Sequence, residues 1–177
     1  MKYVLYIITL FILVGLSQLL ALELPVFGAA AIFWLLLALF AAARNDSTAA
    51  VAVAFIGGLI YDLTTSAPVG SYTIGALIAV SVAYTIFNRM TTLRFDWKYV
   101  PPLALGGSIF IMLWMFGYGW LLETLRLSPF DQGFTQMLLD TGALILATAI
   151  FMYPAYWLTT VLWKAIARLE TRKKGGT

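Results

Sequence analysis

The chain has 177 residues, of which 62% are hydrophobic and 11% are charged, and its mean hydropathy is +0.93. Because a soluble domain carries about 25% charged residues, this composition predicts a membrane protein. The sequence has no cysteine and no histidine, which excludes disulfide bonds, thiol catalysis, Cys/His metal sites and histidine acid–base chemistry. The net charge of +3 comes largely from the C-terminal tail, so we expect no nucleic-acid-binding face.

Six hydrophobic runs follow one another, each near the ~20 residues that a helix needs to cross a bilayer. The runs are 3–22, 26–43, 48–61, 71–87, 100–122 and 135–163. With a cytoplasmic N-terminus, ten of the eleven Lys and Arg residues fall on the cytoplasmic side and only Arg126 falls outside. The ten are Lys2, Arg44, Arg89, Arg94, Lys98, Lys164, Arg168, Arg172, Lys173 and Lys174. Short loops rich in Lys and Arg set orientation, so this distribution supports the threading.

The fold class that follows is all-α, a polytopic inner-membrane protein with six transmembrane helices and both termini in the cytoplasm. We expect a six-helix transmembrane domain over 1–163 and a basic, disordered cytoplasmic tail over 164–177. The first run is longer than the 7–15 apolar residues of a signal peptide, which favours an uncleaved first helix. Gln18 near its outer end can hydrogen-bond across the bundle and, with Asp140 early in the last run, forms a candidate polar cluster. Asp140 can also lie opposite Asp62 and form a paired-carboxylate site. The alternative for Asp140 is an early-turn acid that favours the helix N-terminus and reaches water.

The third run carries the most distinctive pattern, small residues at a spacing of four. One stripe is Ala50, Ala54, Gly58 and Asp62, and the stripe beside it is Ala49, Val53, Gly57 and Tyr61. The fourth run also has small residues at a spacing of four, namely Gly75, Ala79 and Ala83. Only a short turn separates the two runs. Small residues let helices approach closely in lipid, so we predict a tight antiparallel hairpin. Intramolecular packing is favoured over a subunit interface.

Asp62 ends its stripe and allows two interpretations. As a buried acid in a membrane protein, it can bind a partner, a proton or a cation. Alternatively, it has a structural role at the helix end, hydrogen-bonded to Thr64, Thr65 or nearby backbone. An acid at a helix C-terminus opposes the helix dipole, which suggests that it is there for a purpose.

The last run begins after Ser128-Pro129-Phe130-Asp131, which is typical of a helix start. A helix from there to Trp163 is too long for one span, so we predict a break near Gly133. Pro154 removes a backbone hydrogen bond inside this run and predicts a kink.

Catalysis has little support in the sequence. Phosphate-binding loops, serine nucleophile motifs and zinc-binding helix motifs are all missing. Asp62 and Asp140 both lie too close to the outer boundary for an intramembrane aspartyl site. We therefore expect no catalytic residue, no metal and no cofactor, and predict that the protein is not an enzyme.

The segment from Ala54 to Leu63, followed by Ser66-Ala67-Pro68-Val69-Gly70, resembles the signature of the rod shape-determining protein MreD family. The resemblance implies a non-catalytic membrane scaffold of the cell-elongation complex that organises peptidoglycan synthesis. The implied partners are the bitopic protein MreC and, indirectly, the MreB filament, a SEDS-type glycan polymerase and a class B penicillin-binding transpeptidase. The implied fold is similar to that of the substrate-binding subunits of energy-coupling-factor transporters. The family-like positions are Gly57, Gly58, Asp62, Pro68 and Gly70.

Two other functions stay open at this point. The first is the substrate-binding subunit of a vitamin importer, which would need convergent polar groups in a concave site. The second is a lipid-binding or lipid-moving protein with a hydrophobic groove. Membrane lipids are expected to contact the protein in any of these roles.

Overall fold

The chain is all-α in a computed structural model, which describes residues 2–23, 33–65, 69–89, 96–127 and 134–174. These residues form six helices and one 3-10 turn, Trp97–Tyr99, and none of them is in a β-strand. The helices are α1 Lys2–Glu23, α2 Phe33–Ala43, α3 Ser47–Thr64, α4 Ser71–Arg89, α5 Val100–Thr124 and α6 Phe134–Lys174. The six predicted runs each correspond to one of them, which confirms the all-α fold class.

Four of these helices are long and apolar enough to cross a membrane. The candidate spans are Ser47–Thr64, Ser71–Arg89, Trp97–Thr124 and Thr141–Ala165. The other two helices contain shorter apolar stretches, Tyr6–Gly15 and Phe33–Ala43. The structure therefore supports a membrane protein with four candidate spans, and the remaining two stay a prediction.

The helices run up and down between two ends of the bundle. We call the end where α3 meets α4 the hairpin end, and the end where α2 meets α3 the arginine end, after Arg44. Phe87 near the end of α4 packs on Tyr99 just before α5, with ring centroids 6.0 Å apart. At the hairpin end, the Trp114 indole N–H of α5 donates to the Ser71 carbonyl at 2.9 Å. Successive helices α3, α4 and α5 are therefore antiparallel.

Helix α2 lies at the centre of the bundle. All eleven of its residues, Phe33–Ala43, are buried, and it contacts each of the other five helices. Phe33 packs on Phe151 of α6 with ring centroids 4.6 Å apart, and Phe40 packs on Tyr156. A helix that is hydrophobic on every side suits this position, because every face meets another apolar helix.

Glycines set the closest approaches to α3. A Cβ atom built on Gly58 would lie 2.6 Å from the Thr73 Cα of α4, and one on Gly57 would lie 2.6 Å from the Trp34 ring of α2. Real Cβ atoms essentially never come this close to another atom, so a side chain at either position would force its neighbour to move. The two small-residue stripes of α3 thus pack inside the chain, which confirms the intramolecular interpretation.

The prediction for Gly75 was wrong in its partner. A Cβ there would lie 2.5 Å from the Trp114 ring and 2.6 Å from Ile111, both on α5. Gly75 therefore makes room for α5 and does not face α3. The physical reason is that two adjacent faces of α4 are both covered, so a small residue on α4 can serve either neighbour.

Helix α6 differs from its prediction at the C-terminal end. It runs unbroken from Phe134 through Pro154 to Lys174, so the tail predicted to be disordered is helical to that residue. Lys and Arg are good helix formers, and extending an existing helix avoids the cost of nucleation. The predicted break near Gly133 lies outside the described residues.

Candidate functional site

Asp62 lies in the last turn of α3, at the hairpin end, and its side chain is only 2% exposed. The spacing-four stripe of α3 explains this position, since Ala50, Ala54 and Gly58 on the same face are also buried. Because Gly58 has no side chain, α4 packs close to α3. The carboxylate of Asp62, one turn after Gly58, can therefore reach the first residues of α4.

The Asp62 carboxylate accepts hydrogen bonds from four donors at the start of α4. Oδ2 accepts from the Gly70 backbone N–H at 3.0 Å, the Thr73 backbone N–H at 3.2 Å and the Thr73 hydroxyl at 2.6 Å. Oδ1 accepts from the Tyr72 backbone N–H at 2.9 Å. The first N–H groups of a helix have no partner within it, and the positive end of the helix dipole favours an anion there. Asp62 thus caps the next helix across the turn.

Gly70 explains why the cap comes from a distant residue. It precedes α4 directly, in the position where a Ser, Thr, Asp or Asn side chain usually caps a helix. Its φ of 92° favours glycine, which has no side chain to offer. The cap is therefore supplied from α3, and this ties the two helices of the hairpin together.

The structure supports the structural interpretation of Asp62 and, of the partners predicted for it, shows backbone N–H groups. Thr64 and Thr65 both donate their hydroxyl groups to the Tyr61 carbonyl, at 3.2 and 2.9 Å. They close the end of α3 and leave Asp62 to the N–H groups of α4. The dipole conflict noted in the sequence is thereby resolved, since the acid at the end of one helix neutralises the start of the next.

Aromatic rings pack around this capped turn. Tyr61 and Tyr72 are in edge-to-face contact with centroids 4.7 Å apart, and Tyr61 also packs on Trp34 at 6.1 Å. On the other side, Trp114 and Tyr118 of α5 are stacked with centroids 5.8 Å apart. The hairpin is thus held from two sides by large rigid side chains, which favours a fixed surface at this end of the bundle.

Arg44 forms a second polar tie, at the opposite end. Its guanidinium donates to the Thr159 carbonyl at 2.9 Å and to the Thr160 hydroxyl at 2.6 Å, both on α6. It also lies over the rings of Tyr156 and Trp163, 5.7 and 5.8 Å from their centroids. Burial lowers the pKa of this guanidinium. The sequence indicates only a topological role for Arg44, because the partners of its guanidinium lie more than 110 residues away along the chain.

The predicted polar cluster of Gln18 and Asp140 stays a prediction. Both residues lie in helices, α1 and α6, but their side chains are outside the described part of the structure. Pro68 of the family-like motif also lies outside it. The buried polar contact that the structure does show between α5 and α6 joins the Ser108 and Thr148 hydroxyls at 2.8 Å.

An open groove of about 450 Å³ follows the outer face of α4. Its lining residues are Ile74, Leu77, Ile78, Ser81, Val82, Thr85 and Ile86. The hydroxyls of Ser81 and Thr85 donate to the carbonyls one turn earlier, at 2.7 and 2.8 Å.

Within the described residues, no group of three acidic side chains is placed to hold a metal ion.

The chain was also compared with known proteins. No protein-family model, curated protein or solved structure matches it.

Proposed function

We propose that the protein is a non-catalytic scaffold subunit of the bacterial cell-elongation complex, of the MreD type. In this role it binds MreC and, through MreC, connects to the MreB filament and to the SEDS-type polymerase and class B transpeptidase that build peptidoglycan. It lies in the inner membrane with six spans and both termini in the cytoplasm, in a fold like that of the energy-coupling-factor substrate-binding subunits.

The observation that supports this proposal most is the Asp62 cap. The MreD-like motif, considered as a set of residues, builds one rigid unit: Gly58 brings the helices together, Gly70 forms the turn and Asp62 joins them. Both carboxylate oxygens of Asp62 are used in this joint, which suits a structural element better than a transport or catalytic group. A scaffold needs such a surface of fixed shape to bind its partners.

The positions of the charged residues support the orientation. The described Lys and Arg residues that the helix directions place toward the arginine end are Arg44, Arg89, Lys98, Lys164 and Arg168. Arg126 lies two residues after the end of α5, at the hairpin end. If the arginine end faces the cytoplasm, the positive-inside rule is satisfied. The hairpin turn then faces the periplasm, where the exposed Leu63 and Val69 side chains are available to partners.

The test is co-purification with MreC after co-expression in a mild detergent. Leu63→Ala with Val69→Ala alters the exposed hairpin surface and leaves the Asp62 cap intact, since these side chains are 71% and 70% exposed. The matched control is Ile8→Ala with Phe11→Ala, on the exposed face of α1. We expect the hairpin variant to recover less MreC than the control does.

Failure of the unchanged protein to recover MreC would contradict the proposal. Equal recovery by the hairpin and α1 variants would contradict only the hairpin as the contact surface. Depletion in a rod-shaped host gives an independent readout, since we expect rounded cells.

The alternative function, a vitamin-importer subunit, has less support in the described residues. The groove on α4 has only two side-chain hydroxyls, and both already donate to backbone carbonyls. A vitamin site needs several polar groups directed at one ligand. Recovery of a transmembrane coupling subunit with paired ATPases in the same purification would favour the importer over the scaffold.

A further inference from the structure

Helix α6 has a continuous exposed stripe that changes character along its length. Tyr153, Trp157 and Val161 are 44%, 68% and 45% exposed, and Lys164 and Arg168 are exposed one and two turns later. The intervals between these residues are four, four, three and four, so all five lie on one face of the helix. We call this face the α6 outer stripe.

The opposite face of α6 packs against the bundle. Ala155 and Thr159 are buried, and Tyr156 and Trp163 lie beside Arg44. The α6 outer stripe therefore points away from the other helices of the chain. Around a membrane-embedded bundle, that is the direction of the surrounding lipid.

The depth of each residue follows from the helix rise of 1.5 Å per residue. Lys164 is about 10 Å along the helix from Trp157, and Arg168 is about 6 Å farther on. The candidate span ends at Ala165, so Lys164 lies at its last turn and Arg168 just beyond it. Each headgroup layer of a bilayer is about 5–8 Å thick, so both basic residues lie at phosphate depth.

We propose that the α6 outer stripe binds one anionic phospholipid. Lys164 and Arg168 hold its headgroup phosphate, and an acyl chain lies along Val161, Trp157 and Tyr153. The two parts of the stripe match the two parts of the lipid. The two cations, one turn apart, match the anionic headgroup, and the apolar surface below them matches the acyl chain. The proposal depends on membrane insertion and is independent of the elongation-complex function.

Other exposed stripes of the described residues make a useful contrast. The α1 stripe of Val4, Ile7, Ile8, Phe11 and Ile12 consists of large apolar residues and includes no Lys or Arg. The stripe of α4 has Val82 and Ile86 followed by Arg89 alone. Two cations on successive turns, directly continuing an aromatic and aliphatic surface, distinguish the α6 outer stripe from both.

The test is native mass spectrometry of the full chain in detergent, titrated with palmitoyl-oleoyl phosphatidylglycerol or with the phosphatidylcholine of the same chains. We expect the first phosphatidylglycerol to bind about fivefold more weakly to Lys164→Gln and to Arg168→Gln, which corresponds to the ~1 kcal/mol that a basic residue contributes near an anionic surface. We expect a smaller loss for phosphatidylcholine, because its choline group offsets the charge of its phosphate. The control is Arg126→Gln, an exposed arginine at the hairpin end, which should retain the wild-type affinity.

An unchanged affinity in both α6 variants would overturn the proposal, and so would an equal loss in Arg126→Gln, which would indicate a general effect of net charge. Displacement of the lipid by millimolar inorganic phosphate would also overturn it, because the site would then recognise phosphate alone. Thermal unfolding at the wild-type temperature would confirm that the variants are folded.

Trp157→Leu tests the lower part of the stripe, where we expect a smaller loss of affinity for both lipids.

Discussion

The hairpin end and the arginine end each have one charged side chain that joins two helices, and the two joints differ in design. Asp62 accepts from four donors, three of them backbone N–H groups, and is 2% exposed. Arg44 donates to the Thr159 carbonyl and the Thr160 hydroxyl, lies over two rings and is only partly buried. The first joint is local, spanning 8–11 residues, whereas the second spans 115–116.

The difference shows how a buried charge is made tolerable in a hydrophobic bundle. A carboxylate needs donors, and the first turn of a helix supplies several that have no other partner. A guanidinium needs acceptors, but helix carbonyls are mostly used within their own helix, so rings and a hydroxyl complete its surroundings. We therefore expect the hairpin joint to contribute more to stability than the arginine joint does.

The largest effect should come from disturbing the close approach that makes the hairpin joint possible. Gly58→Ala would place a Cβ atom 2.6 Å from the Thr73 Cα, where backbone must move. We expect the free energy of unfolding in mixed micelles to fall by about 3 kcal/mol. The control is Gly106→Ala, which has open space around it and should be neutral or stabilising. Equal effects of the two substitutions would contradict the close packing of α3 on α4.

Removing the charge of the hairpin joint should have the next largest effect. In Asp62→Asn, the amide group would turn a donor toward one of the N–H groups of α4, and the attraction to the helix dipole would be lost. We expect a loss of about 2 kcal/mol in the free energy of unfolding, measured in the same micelles. Asp96→Asn is the control, because Asp96 is exposed and caps only the short 3-10 turn. A variant as stable as the wild type would show that the cap is dispensable.

The arginine joint should be less sensitive. Arg44→Lys keeps the charge, but an ammonium group cannot reproduce the two-pronged donation to Thr159 and Thr160 or the stacking on both rings. We expect a loss of about 1 kcal/mol in the free energy of unfolding. Arg89→Lys, at an exposed position at the end of α4, is the control. A loss larger than that of Asp62→Asn would reverse the ranking of the two joints.

The smallest effect is expected between α5 and α6, away from both joints. Ser108→Ala removes the hydroxyl that contacts Thr148, and the remaining hydroxyl can turn to a carbonyl of its own helix. Such contacts between membrane helices contribute ~0.6 kcal/mol on average. Ser81→Ala, at the exposed groove of α4, is the control and should be neutral. Unfolding titrations with closely spaced points can resolve this difference. A loss in the free energy of unfolding larger than that of Arg44→Lys would contradict the predicted order of the four effects.

The positions of the helices could be predicted because a backbone in lipid has no water to bond with and must form its own hydrogen bonds. Each long apolar run must satisfy its backbone groups internally, so the third run, predicted over 48–61, forms a helix at Ser47–Thr64. The hairpin was also predictable, since the spacing of four in α3 places Gly58 and Asp62 on one face. The partners of Asp62 were not, because they depend on how far Gly70 turns the chain before α4 begins.

Features that depend on distant contacts were beyond the sequence. Nothing near Arg44 indicates that its partners lie on α6, and Gly75 gives no sign of which neighbour it accommodates. The central place of α2 was hidden for a different reason. All six runs are apolar on every side, so hydrophobicity does not distinguish a helix that faces lipid from one that faces only protein.

The enclosure of α2 has a consequence for the order of assembly. A helix whose described residues are all buried can reach its final surroundings only after the helices that cover it have been made. Since α6 covers Phe33 and Phe40 and follows the other five helices along the chain, it leaves the ribosome after them and closes the bundle. A chain halted before α6 should therefore expose one flank of α2 to photoactivated lipid probes, and the completed chain should shield it.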